Sequence, residues 1–181
     1  MKFKHYFLLA IILFTQQSCF EIIEQVLLKN DGSGNFQLVI NMSKSKTRIN
    51  SMRKMKTVNG HPVPTQEEIS EKVAAIEKII AATPGLTAVN TKLDFTNYIA
   101  TLTLNFSKIT QVNAAVKNVA EKEKKGFKAD RNYDYNAAAN IFTRFNTFSL
   151  KEDYNKMSNA DKEIFATANY TAIYKFENSV S

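Results

Sequence analysis

Cysteine occurs once in these 181 residues, at Cys19, and histidine twice, at His5 and His61. So few soft ligands cannot assemble a zinc or haem site. Catalytic signatures are missing as well: there is no GxSxG elbow, no P-loop and no paired-carboxylate motif. His61 stands in the Pro-rich stretch NGHPVP and reads as a loop residue. Glu67 and Glu68 open a helix whose dipole accounts for them, and Glu152 and Asp153 have the same explanation. Asp134, between Tyr133 and Tyr135, reads as the outward residue of a strand. The expectation is a non-enzymatic chain with no metal and no cofactor.

Long apolar runs are also scarce. Tyr6 to Phe14 is apolar throughout, yet a spanning helix needs about 20 such residues. Lys2 and Lys4 precede this run, and Thr15, Gln16, Gln17 and Ser18 follow it. That order of charge, short apolar core and polar approach is the build of a bacterial secretion signal. Ordinary signal peptidase wants small residues one and three places before its cut, and glutamine spoils either register here. The stretch QQSC instead resembles a lipobox, with Ser18 before a cysteine that becomes the new N-terminus. The thiol is then required chemically, because its sulfur takes a diacylglyceryl group as a thioether and a thiolate is the nucleophile for that step. Gln16 stands where lipoboxes usually carry leucine, a departure that the looser motif of Bacteroidota lipoproteins accommodates. The competing reading, a secreted chain with a free thiol, is disfavoured in an oxidising compartment.

Residues 1–18 are therefore expected to be a signal, and 19–181 a single α+β domain tethered to the membrane through lipidated Cys19. After Cys19 comes Phe-Glu-Ile-Ile-Glu rather than an acidic run, and strand pattern begins almost at once. A short tether follows, which predicts a domain in the cell envelope, anchored at the outer membrane and facing the periplasm.

Acidic residues are absent from one long segment. Between Asp31 and Glu67 there is none, whereas Lys44, Lys46, Arg48, Arg53, Lys54 and Lys56 all fall there. Nucleic acid is not an expected partner for an exported chain. The stretch reads either as a solvated face or as a patch for an anionic surface near the tether.

What is present is clear periodicity. Glu21–Lys29 and Asn35–Met42 read as strands joined by Asp31-Gly32-Ser33-Gly34. Ser43–Met55 predicts a short helix with Ile49 and Met52 inward, and NGHPVP a loop. Thr65 and Glu68 form a capping-box pattern opening a helix to about Ala82, with Ile69, Val73, Ile76 and Ile80 as a core stripe. Pro84-Gly85 ends it. Leu86–Leu93 and Tyr98–Phe106 read as a second hairpin, followed by a helix from Ile109 to Lys124 with Ile109, Val112, Val116 and Val119 buried. Phe127–Tyr135 and Ile141–Phe145 read as a strand pair, though NAAAN between them also suits a helix. Ser149 and Glu152 mark short helices over Leu150–Phe165, and Ala168–Glu177 closes the pattern as a strand. The fold class is α+β, an antiparallel sheet built from hairpins with helices on one face.

The opening CFEIIEQVLLKNDGSGNFQLVINMS resembles uncharacterised Bacteroidota lipoproteins that begin with a strand, a DGSG turn and a second strand. It is more faintly similar to LppM-type bacterial lipoproteins, a resemblance that implies envelope lipid binding. Later, AIYKFE is similar to the close of the same Bacteroidota proteins. Two functions follow as expectations. One is a lipoprotein that binds an unidentified envelope protein or assists an assembly. The other is a carrier for a lipid or amphiphile. A closed core favours the first, and an apolar cavity of about 300 Å³ or more favours the second.

Overall fold

The computed structural model describes residues 20–123, 131–145, 151–159, 162 and 168–178. Strands β1 (Glu21–Leu28) and β2 (Gly34–Asn41) form the first hairpin, with Glu21 opposite Asn41 and Leu28 opposite Gly34. Asp31 builds the turn by accepting hydrogen bonds from the Ser33 backbone N–H (2.9 Å) and hydroxyl (2.7 Å). Gly32 takes φ +83°, the left-handed region that a side chain disfavours. Gly34 is required for a different reason: a Cβ there would lie 1.9 Å from the Leu27 carbonyl oxygen.

A short 3-10 turn (Ser43–Ser45) and helix α1 (Lys46–Met52) follow. NGHPVP is not simply a loop. Asn59 and Gly60 both have positive φ and turn a minimal pair, β3 (Thr57–Val58) against β4 (His61–Pro62). Helix α2 (Gln66–Ala81) starts at the expected capping box. Glu68 N–H donates to the Thr65 hydroxyl (3.1 Å) and Thr65 N–H to the Glu68 carboxylate (2.7 Å), so two orphan donors of the first turn are satisfied.

Strands β5 (Leu86–Asp94) and β6 (Ile99–Phe106) make the second hairpin, with a bulge at Ala88, which has φ +49°. Tyr98 belongs to the turn and not to the strand: its φ is +58°, and the alternation continues one residue beyond the ladder. Helix α3 (Thr110–Lys122) buries Val112, Ala115 and Ala120, with Ile109 buried just before it; Val116 and Val119 are half-buried. Its last residues are exposed as expected up to Lys122.

The segment NAAAN resolves as a turn between β7 (Tyr133–Asn136) and β8 (Ile141–Arg144). Asn113 on α3 pins this hairpin, donating to the Tyr133 carbonyl (2.8 Å) and accepting from the Tyr133 N–H (2.9 Å). Residues 127–130, expected to begin that strand, lie outside the described residues, as do Ser149 and Leu150. Helix α4 is Lys151–Lys156, and β9 is Asn169–Phe176.

The main sheet has the order β5-β6-β2-β1-β9. Four strands run antiparallel to their neighbours, but β9 lies parallel to β1, with Glu21 opposite Asn169 and Leu28 opposite Phe176. The sheet is mostly antiparallel, as expected, with this one parallel pair at its edge. A parallel partner requires a connection that carries the chain back across the sheet, and α4 lies in that connection. The α+β class itself holds: helices and the small hairpin cover one sheet face, where Val26, Leu28, Phe36, Leu104 and Phe106 meet Ile80, Ile109, Val112, Ala115 and Tyr133. The other face carries Gln25, Gln37, Thr101 and Thr103, half-exposed, with Asn105 exposed. Among the described residues no helix is long and apolar enough to cross a membrane.

Candidate functional site

Strand register decides what lies near the expected tether. Cys19 is outside the described residues, but its neighbour Phe20 accepts a hydrogen bond from Asn169 N–H (3.0 Å) at the start of β9. Glu21 pairs with Asn41, Asn41 with Ile99, and Met42 N–H donates to the Tyr98 carbonyl (2.9 Å). One end of the sheet therefore gathers Phe20, the start of the 3-10 turn and the β5–β6 turn. We call this the Phe20 end.

The basic stretch grows from the same end. Lys44 is in the 3-10 turn, Lys46 and Arg48 are on α1, and Arg53, Lys54 and Lys56 follow it. All six are exposed, and among the described residues none makes an ion pair. Met55, between Lys54 and Lys56, is 54 % exposed.

Between α1, the start of α2 and the β5–β6 turn lies a cleft of about 300 Å³. Met42, Ile49, Met52, Ile69, Val73 and Leu93 supply most of an apolar lining, and the expected inward positions Ile49 and Met52 point into this space. Two charged residues line it. Asp94 is occupied by the turn, accepting from Thr96 N–H and Asn97 N–H (both 2.9 Å) and from the Asn97 amide (2.8 Å). The Asn97 backbone bond, then its side chain, hold the Asp94 carboxyl below the ordinary carboxylate range. Arg53 donates to the Tyr98 hydroxyl (3.2 Å), which in turn donates to Asn50. The guanidinium thus sits at an apolar space with a single neutral partner among the described residues.

A second apolar cleft of about 370 Å³ lies between α2, α3 and the sheet, lined by Leu38, Ile76, Leu102, Val116 and Val119 among others. Lys72 and Glu123, which also line it, close an ion pair at 2.7 Å. The α2 stripe is therefore not uniformly core. Ile80 is buried, whereas Ile69, Val73 and Ile76 are half-exposed and line the two clefts.

The most unusual charged group escaped sequence reading. Glu24 points inward from the middle of β1 and is only 6 % exposed. The Tyr170 hydroxyl donates to one carboxylate oxygen (2.6 Å) and the Tyr174 hydroxyl to the other (3.0 Å), with Arg144 Nε 3.4 Å away. The Arg144 guanidinium stacks 4.7 Å above the Tyr133 ring. Burial, then the Glu24 charge and hydrogen bond, push Tyr174 up to about 12. Burial and the bond to Glu24 also raise Tyr133 and Tyr170. Both oxygens of this carboxylate are engaged, so the cluster fastens β9 and the β7–β8 hairpin to β1. Its one sequence signal was an acid at the inward phase of an alternating strand, between Ile22 and Val26.

The remaining acids and His61 are not brought together. His61 is exposed on β4, Asp134 pairs with Arg131 on the hairpin, and Glu67 and Glu68 occupy the first turn of α2. Glu152 and Asp153 fall on α4, where their side chains lie outside the described residues. Among the described residues no cluster of His, Cys, Asp and Glu could hold a metal ion. Comparison with protein-family models, curated proteins and solved structures returned no match for this chain.

Proposed function

We propose that the chain is a lipid-anchored, non-enzymatic domain of a bacterial envelope, held through Cys19, that binds a single-chain anionic amphiphile. The observation that carries this reading is the 300 Å³ cleft at the Phe20 end, which an anchor at Cys19 makes the tethered end; it is apolar in its lining and bordered by Arg53. Its volume reaches the lower end of the range for small-ligand sites, about 300–1,000 Å³. An acyl chain suits the lining, and a carboxylate or phosphate suits the guanidinium, which forks to two oxygens. The cleft is more specific than anything that supports a protein partner, for which the half-exposed sheet face is the remaining feature.

Two arms test the reading. Cys19→Ala should leave the chain soluble or as uncleaved precursor, because two or more acyl chains are needed for a stable anchor. In envelopes containing the full chain, a diazirine-bearing fatty acid should label peptides around Ile49–Met52 and Phe95–Ala100. Ile49→Trp, which fills the cleft, should suppress that labelling. Arg53→Gln should weaken it for the acid by about ten-fold, a charge-assisted contact, and leave the fatty alcohol analogue unchanged. Labelling spread evenly over the surface, and indifferent to Ile49→Trp, would contradict the cleft.

A further inference from the structure

We infer that the tethered end is also a docking face for an anionic lipid bilayer, so that the domain rests on the membrane in one orientation instead of swinging on its tether. This deepens the proposal above by naming the surface on which the domain works, and it rests on the anchor at Cys19.

Three independent observations converge on that end. The register of β1, β2 and β6 brings Phe20, Met42 and Tyr98 together, so the basic stretch begins beside the residue that follows the tether. The six cations from Lys44 to Lys56 are exposed and have no ion-pair partner among the described residues, over a segment without an acid. Met55 stands exposed among them. Lysines and arginines with long aliphatic stems around an exposed apolar side chain form an interfacial surface: charges meet headgroups while the apolar group enters the acyl boundary.

Basic side chains act on an anionic surface only within about a Debye length. The tether provides that proximity, and in return the patch selects which side of the domain faces the lipid. The Arg53 border of the cleft then lies toward the headgroups, from which an amphiphile can enter without crossing open water.

The chain has no tryptophan, which makes a single indole a clean reporter. The full lipidated chain carrying Met55→Trp is reconstituted into vesicles of phosphatidylcholine alone or with phosphatidylglycerol, each containing brominated lipid. Bromine should quench the indole strongly in anionic vesicles at low salt, weakly in neutral vesicles, and weakly again at high salt. The same reporter placed by Ser33→Trp, in the turn at the opposite end of the sheet, should stay unquenched throughout. Adding Arg53→Gln, Lys54→Gln and Lys56→Gln should reduce the docked population on the order of a hundred-fold. Equal quenching at positions 55 and 33, or quenching that ignores both salt and the three substitutions, overturns the docking face. Flotation with neutral vesicles at high salt reads the anchor separately: its loss contradicts the tether, while salt-sensitive quenching at position 55 would still support the patch.

Discussion

One sheet face serves two unlike halves of this molecule. Away from the Phe20 end, Leu28, Phe36, Leu104, Phe106 and Ile109 are each no more than 8 % exposed beneath α3 and the β7–β8 hairpin, with Phe36 and Leu104 at the floor of the second cleft. Toward the Phe20 end, Met42, Ile49, Ile69, Val73 and Ala100 stay half-exposed around the cleft. The same strands and the same α2 stripe feed both halves, so residue chemistry does not separate them. What differs is the cover. Short α1 roofs the Phe20 half, the more open one, and α3 with the β7–β8 hairpin covers the other, the more closed one. Stability should therefore reside in the closed half, leaving the open half free to change by mutation or occupancy at small cost.

The largest effect should come where the closed half is fastened. Glu24→Ala removes the charge partner of Arg144 and the acceptor of Tyr170 and Tyr174, and breaking a buried charge pair costs about 3–5 kcal/mol. Denaturant unfolding of the variant should show that loss; a change below about 1 kcal/mol would mean that the cluster behaves as a surface pair.

Next in size is a direct contrast between the halves. Leu104→Ala should cost about 2–5 kcal/mol as a buried deletion. Ile69→Ala, half-exposed at the cleft, should cost about 1 kcal/mol. Equal losses in urea titrations would erase the distinction between a buried strand residue and a half-exposed cleft residue.

The smallest effect is a pH response confined to the closed half. Tyr174 is raised from the ordinary 10.0 to about 12, by burial first and by Glu24 next, and Tyr133 and Tyr170 shift the same way. A raised folded pKa favours the protonated form in the fold. Its contribution is complete below pH 10, the unfolded value, and is lost as pH climbs toward 12. The midpoint of urea unfolding should decline over that window, and Tyr174→Phe should flatten the decline. An unchanged slope in the variant would remove Tyr174 from the linkage.

The parts of this fold that were legible in the sequence are those set by local rules. The Asp31–Gly34 turn, the Thr65–Glu68 capping box and the alternation of β2 and β6 each depend on neighbours a few residues apart. Alternation says that Asn169–Phe176 is a strand but contains nothing about its direction relative to β1, so parallel pairing was hidden. It also ran one residue past the ladder into Tyr98, whose side chain is buried although its backbone turns. Glu24 could not be understood locally, because its tyrosine partners lie 146 and 150 residues away. The cleft was invisible for a further reason: Ile69, Val73 and Ile76 share the spacing of a buried stripe, and spacing contains nothing about how completely other elements cover it. The basic stretch was legible as composition, whereas its position beside Phe20 needed the strand register.

The most direct test of the proposed function is native mass spectrometry of the full chain released from envelopes in mild detergent. The account predicts a covalent diacylglyceryl-type mass on Cys19, together with a separate amphiphile that is lost on gentle activation and is absent from the Ile49→Trp variant. A chain that carries no bound amphiphile, or one whose ligand is retained equally by Ile49→Trp, would contradict it.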